Sequence, residues 1–179
     1  MVYDAVTETI VLFGGQGGSY GDTWEWNGRT KTWKQDFPAS SPSPRNTTLA
    51  YDPPTGEVVL FGGNNPNAGP YLNDTWTWDG LTWTQRFPAS SPSPRGAPAF
   101  IYDPYLGRVV LFGGTPGDFI LLNDTWVWNG VTWTQLHTPN QPSGRFAAGI
   151  AVDPLNGGLL LFGAVSTVDT WFLVPVPVP

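Results

Sequence analysis

Residues 58–63 read Val-Val-Leu-Phe-Gly-Gly, and residues 73–85 read Asn-Asp-Thr-Trp-Thr-Trp-Asp-Gly-Leu-Thr-Trp-Thr-Gln. The first stretch is a continuous apolar run ending in glycines, the pattern of a strand covered on both faces. The second alternates through Trp76 and Trp78, so one of its faces is buried, and it resumes at Trp83 after Asp79-Gly80. Asp-Gly between alternating stretches is a strong hairpin signal and predicts a type I′ turn, with both central residues at positive φ. Upstream, Thr47-Thr48-Leu49-Ala50-Tyr51 reads as a further strand, closed by the turn formers Asp52-Pro53-Pro54-Thr55-Gly56. The unit is therefore four short strands, at 47–51, 57–61, 75–78 and 82–85.

This unit recurs along the whole chain. Phe-Gly-Gly begins at Phe13, Phe61 and Phe112, with a degraded copy at Phe162-Gly163-Ala164, giving spacings of 48, 51 and 50 residues. Asp-Thr-Trp begins at Asp22, Asp74, Asp124 and Asp169. A second Trp follows at Trp26, Trp78 and Trp128, and a third at Trp33, Trp83 and Trp133. Asn27-Gly28 and Asn129-Gly130 fill the place of Asp79-Gly80, and Phe-Pro-Ala-Ser-Ser-Pro-Ser-Pro-Arg stands unchanged at 37–45 and 87–95. No stretch has helical periodicity. Four-stranded antiparallel units repeating every 50 or so residues indicate an all-β protein built of β-propeller blades.

The motif order resembles the kelch repeat, in which a strand ending in Gly-Gly is followed by a variable loop, an aromatic-bearing strand and a further Trp. Here these are Val58–Gly63, Asn73–Trp76 and Trp83, and the resemblance covers essentially the whole chain. It implies four kelch-like blades, at about 1–36, 46–86, 96–136 and 146–173, with a Pro-rich tail at 174–179. It also implies close backbone packing at the glycine pairs and Trp and Tyr packing between blades. It does not specify a function, because propellers host binding modules and enzymes alike. Repeat 1 begins within its first strand, and repeat 4 stops after its third, where Val174–Pro179 reads as a polyproline II tail. Kelch-like rings generally hold six or more blades. Three arrangements follow: a closed four-bladed ring, a head-to-tail pair making eight blades, or a piece of a longer array. The head-to-tail homo-oligomer is favoured, because open blade faces expose a large apolar surface.

Composition narrows the function classes. Of 179 residues only 12% are charged, the net charge is −6, and eight Lys+Arg face fourteen Asp+Glu. That is too little basic residue for an electrostatic nucleic-acid face. No apolar run approaches the ~18–20 residues of a membrane-spanning helix. Cysteine is absent, which removes disulfides, thiolate metal sites and a cysteine nucleophile. The start Met-Val-Tyr-Asp-Ala-Val-Thr-Glu-Thr lacks the basic and apolar stretches of a signal peptide, and the reading leans to an extracellular or cell-surface setting.

Candidate binding residues fall in two sets. Arg45, Arg95 and Arg145 recur in the connectors, where they either converge on an anionic ligand or pair with repeat Asp residues. Tyr71, Leu72, Phe119, Ile120 and Leu121 stand in the loops after Gly-Gly, where they either pack on a neighbouring blade or form a partner-binding patch. Asp22, Asp74, Asp124 and Asp169 are expected to bond backbone amides just before the third strand. No cofactor, metal or catalytic residue is expected. The copper chemistry found in some kelch-like oxidases requires a Tyr-Cys cross-link and two His, and His137 is the only His in a chain without Cys. The Glu, Asp and His spacing of kelch-type iron sites does not start at Glu8, Glu25 or Glu57. The expected function is a non-catalytic scaffold for protein binding or self-assembly. The alternative is a carbohydrate-binding or carbohydrate-processing propeller whose Trp residues stack sugar rings.

Overall fold

The computed structural model describes residues 1–15, 20–65, 69, 71–164 and 167–173. The Val-Pro tail at 174–179 and parts of three variable loops (16–19, 66–68 with 70, and 165–166) lie outside the described residues. Fifteen strands form among the described residues, and no helix does.

Blade 1 comprises β1 (Val2–Asp4), β2 (Thr9–Phe13), β3 (Thr23–Asn27) and β4 (Thr32–Asp36). Blade 2 comprises β5 (Asn46–Asp52), β6 (Glu57–Asn64), β7 (Leu72–Trp78) and β8 (Trp83–Arg86). Blade 3 comprises β9 (Ala99–Asp103), β10 (Arg108–Gly114), β11 (Leu122–Trp128) and β12 (Trp133–Leu136). Blade 4 comprises β13 (Gly149–Asp153), β14 (Gly158–Ala164) and β15 (Thr167–Leu173). Each is an antiparallel meander in chain order, and the fourth has three strands among the described residues. The first strands β1, β5, β9 and β13 contact one another in succession, so the blades stand in a fan with their first strands together.

The core lies between the sheets. In β6, Val58 and Leu60 face blade 1, where they meet Val11 and Phe13, while Val59 and Phe61 face blade 3 with Val109, Leu111 and Trp133. The unbroken apolar run of the second strand is thus read out as burial on both faces. An aromatic side chain buries about 150–250 Å², which at about 25 cal/mol/Å² is a gross ~4–6 kcal/mol before conformational entropy is set against it. The Trp residues between the sheets are therefore the main stabilising element.

The fan is open. Trp33 at its first face is 48% exposed and Phe162 at its last is 59% exposed, so the closed four-bladed ring considered from the sequence is not the form this chain adopts. Four apolar sheets of this length cover each other in a row but leave two end faces bare.

The turns divide into two kinds. After the first strand, Asp4, Asp52, Asp103 and Asp153 begin tight turns, and the Asp103 carboxylate accepts from the Tyr105 amide at 2.8 Å. The left-handed position of these turns is glycine at Gly56, Gly107 and Gly157, whereas repeat 1 places Glu8 there at φ 56°. The Asp-Gly and Asn-Gly turns are not type I′. Gly80 and Gly130 have φ of 92° and 89°, but Asp79 and Asn129 do not adopt positive φ. Instead, Asp79 Oδ1 accepts from the amides of Leu81 and Thr82 at 2.9 and 2.8 Å, and Asn129 does the same for Val131 and Thr132. The side chain takes over the amides that a two-residue turn would have paired across the strands, and the loop widens to four residues.

Candidate functional site

The joint between successive blades is built from three residue sets that the repeat carries at constant places. The first is the outer-strand Trp. Trp83 of blade 2 reaches back to blade 1, donating its Nε1 proton to Thr23 Oγ1 at 2.8 Å and meeting the Phe13 ring edge-on at 5.2 Å. Trp133 of blade 3 does the same to blade 2, with Thr75 Oγ1 at 2.9 Å and Phe61 at 5.2 Å. Both indoles are fully buried. A buried indole N–H needs an acceptor, and the Thr of the Asp-Thr-Trp motif supplies it.

The second set is the connector arginine. Arg45, Arg95 and Arg145 are fully buried. The Arg95 amide donates to the Leu72 carbonyl and its own carbonyl accepts from Gly63, both in blade 2. Its guanidinium crosses into blade 3, donating to the Gly113 carbonyl at 3.0 Å and to both Asp124 oxygens at 2.6 and 2.8 Å. Nε donates to the Ser93 carbonyl and Nη2 to Ser93 Oγ, so every side-chain nitrogen is engaged. Arg45 with Asp74 and Arg145 with Asp169 repeat the arrangement. A ligand at any of these arginines would have to displace an aspartate; the structure places them as ties between blades.

The third set is the glycine pair. Gly62 and Gly63 have φ of 57° and 103°, and a Cβ on Gly62 would stand 2.7 Å from the Arg95 and Leu72 carbonyl oxygens. Only glycine lets the backbone come this close to the connector.

The Asp-Thr-Trp aspartates do more than the sequence suggests. Asp74, Asp124 and Asp169 accept the arginine of the preceding connector and, two residues along, the indole N–H of Trp76, Trp126 and Trp171 at 2.7, 2.7 and 2.6 Å. The expectation that they chiefly bond backbone amides is corrected accordingly. Burial pushes the Asp124 carboxyl up, but the hydrogen bonds from Arg95 and Trp126 outweigh it and hold it below the usual carboxylate range. Hydrogen bonds from Arg145 and Trp171 hold Asp169 well below that range. In blade 1, Glu25 is raised by burial and by the nearby Asp36 charge.

The loop residues separate into two roles. Tyr71 packs between the connector and the next blade's loop, its ring edges lying where a Cβ on Gly96 or Gly117 would stand 2.8 or 3.1 Å away. Leu72 is half-buried, and its carbonyl anchors the Arg95 amide. Phe119, by contrast, is fully solvent-exposed at 101%, with Ile120 and Leu121 exposed beside it. Asp118 and Phe119 have φ of 51° and 60°, a left-handed pair rare for such side chains, braced by the Ile120 amide bonding the Gly117 carbonyl.

At the two ends of the fan the joint is half-built. Trp33, the blade 1 counterpart of Trp83, touches Trp26 and lines an open hollow with Leu12 and Trp24. At the other end, Phe162 and Thr170 of blade 4 stand exposed where Phe13 with Thr23, and Phe61 with Thr75, receive a Trp. The sequence reading missed the Thr and Ser partners of this joint. The invariant Thr inside Asp-Thr-Trp and the Ser two residues before each connector Arg were the available signal.

A comparison with curated proteins yields no match. The family model of the KLHDC2/KLHL20/DRC7 Kelch-repeats domain matches residues 1–172. With that match over nearly its full length, and with Gly-Gly, Asp-Thr-Trp and the outer-strand Trp serving one recurrent joint, the chain belongs to the kelch-repeat family.

Proposed function

We propose that this chain is a non-catalytic kelch-repeat scaffold that joins a second copy head to tail, giving an eight-bladed assembly, and offers its loops to protein partners. The observation that carries the reading is the pair of unmatched half-joints: an exposed Trp33 at one end and an exposed Phe162 with Thr170 at the other. Inside the chain the same two halves meet twice, at Trp83 with Phe13 and Thr23, and at Trp133 with Phe61 and Thr75. Docking Trp33 of one copy on Phe162 and Thr170 of another repeats that geometry with no new contact type. The interface is heterologous, so it closes into a ring or runs on as a filament according to the rotation per blade.

Sedimentation or light scattering tests the reading. A species of twice 19.5 kDa that reverts to one chain on Trp33→Ala is expected. A species of 19.5 kDa alone across micromolar concentrations overturns it. In the assembled form the Phe119-Ile120 tip of the loop is the surface offered to a protein partner, while Leu121 beside it rests against Gly144 of the connector to blade 4. The carbohydrate alternative rests on Trp33, the indole with substantial exposure. Sugar binding on a glycan array that Trp33→Ala removes would favour it.

A further inference from the structure

Asparagine precedes glycine three times, at Asn27-Gly28, Asn129-Gly130 and Asn156-Gly157. The first two pairs stand in the hairpin before the fourth strand, where repeat 2 carries Asp79-Gly80. There the side-chain oxygen sits in a cradle of two main-chain N–H groups. Asn129 Oδ1 accepts from Val131 and Thr132 at 2.9 and 2.8 Å, and Asn27 Oδ1 from Arg29 and Thr30 at 2.9 and 3.1 Å. Asp79 Oδ1 takes the same two bonds from Leu81 and Thr82, so the cradle holds a carboxylate as readily as a carboxamide. Among the described residues, neither the Gly28 nor the Gly130 main-chain N–H has a hydrogen-bond partner. The third pair is tied down instead. The Gly157 N–H donates to the Asp153 carbonyl at 3.0 Å, and Asn156 Nδ2 donates to Asp153 Oδ2 at 2.7 Å.

We propose that Asn27 and Asn129 are sites of self-modification, each converted by water to aspartate with loss of ammonia. The Gly130 nitrogen gives its proton to solvent hydroxide and attacks Asn129 Cγ. No Cβ on the glycine shields that approach. Charge then gathers on Oδ1, where the two cradle N–H groups already point, as the donors of an oxyanion hole do. The Cγ–Nδ2 bond breaks, and Nδ2 leaves as ammonia, taking a proton from water. A cyclic imide between side chain and main chain remains. Water adds at Cγ, the bond to the Gly130 nitrogen breaks, and that nitrogen regains a proton. The product is a carboxylate on an unaltered main chain. Opening at the main-chain carbonyl instead would route the chain through Cγ and add a methylene, giving isoaspartate. The cradle opposes that outcome, because it binds the side-chain carboxylate by charge-assisted hydrogen bonds. The turn has little room for the methylene, since even a Cβ on Gly130 would stand 3.1 Å from Thr55 of blade 2. Each conversion adds one negative charge to a chain of net charge −6. Repeat 2 thus encodes at Asp79 the state that repeats 1 and 3 reach by ageing.

The whole 179-residue protein is incubated in mildly alkaline buffer, folded and in guanidinium chloride, and the three Asn-Gly peptides are followed by mass spectrometry. An isoaspartate methyltransferase counts the lengthened product. In the folded protein Asn27 and Asn129 are expected to convert at least about tenfold faster than Asn156, and mainly to aspartate. In denaturant the three rates should converge, with isoaspartate in excess at each. Asn129→Asp should melt with the parent, because the cradle already accepts a carboxylate at Asp79. Equal rates at Asn156 and at either cradle position in the folded protein, isoaspartate as the main product at Asn129, or a lowered melting temperature of Asn129→Asp overturns the proposal.

Discussion

Trp83 and Trp33 hold the same position in successive repeats, yet one is 1% exposed and the other 48%. Their own sheets differ little: each is paired across from a Trp of the third strand, and each meets that ring at a tilt, with centroids 5.5 Å apart for Trp78 and 5.4 Å for Trp26. What differs is the blade before. Trp83 has Phe13 and Thr23 of blade 1 to close over it, and Trp33 has none. A blade therefore stabilises its outer strand very little alone. It is half of two joints, and its stability depends on both being filled.

Substitutions at equivalent positions should separate the two situations. The largest effect is expected from Trp133→Ala, which opens a cavity between blades 2 and 3 and should cost about 3–5 kcal/mol in chemical denaturation. Trp33→Ala, measured where the chain is monomeric, should stay within about 0.5 kcal/mol of the parent. Equal losses at the two positions would break the comparison.

Arg95→Met should come next, at about 2–4 kcal/mol, because it leaves Asp124 and the Gly113 carbonyl without their donor inside the joint. The lower part of that range reflects the partial exposure of Asp124. Arg29→Ala, which removes a surface ion pair with Glu8, should be near zero.

Acid should act on the joints in two stages. Asp124 and Asp169 have folded pKa values below their unfolded ones, so their stabilisation is present above the unfolded value of about 3.9 and is lost as pH falls below it. Glu25 and Asp52, raised by burial, act with the opposite sign: the folded state gains as pH falls through their folded values. Melting temperature should therefore rise or hold as pH falls from neutral toward the ordinary carboxylate range and drop below about pH 4. Glu25→Gln should flatten the upper part of that profile and leave the acid drop in place.

The smallest effect is expected at the loop tip. Phe119→Ser should leave folding stability within about 0.5 kcal/mol, since the side chain packs on nothing. Tyr71→Ser, at the loop that does pack, should cost clearly more in the same denaturation experiment.

The strands were legible because each is written in the chain by local alternation and turn residues. Thr47–Tyr51 lies within β5 and Glu57–Phe61 opens β6. The joint was only half legible. The periodic Trp announced that something recurs, but not which blade it faces, since that depends on residues 58–60 positions away such as Thr23 and Thr75. Arg45 to Asp74 and Arg95 to Asp124 are both separated by 29 residues, a constancy that marks a pair once both are known to be buried. Asp79-Gly80 misled for a local reason: the Asp side chain competes for the turn amides, and no strand pattern records that competition.

The connector arginine grips one blade through its backbone and the next through its guanidinium, and this bears on how such a chain changes length. Residues 46–95 contain a whole blade and the arginine that receives its successor. An in-frame duplication of that segment would insert a blade with both couplings already encoded, and its deletion would rejoin Arg45 to Asp124 as readily as Arg45 now meets Asp74. Blade number is thus free to drift by whole units under genetic recombination, while any change of a fraction of a unit leaves an arginine without its acid.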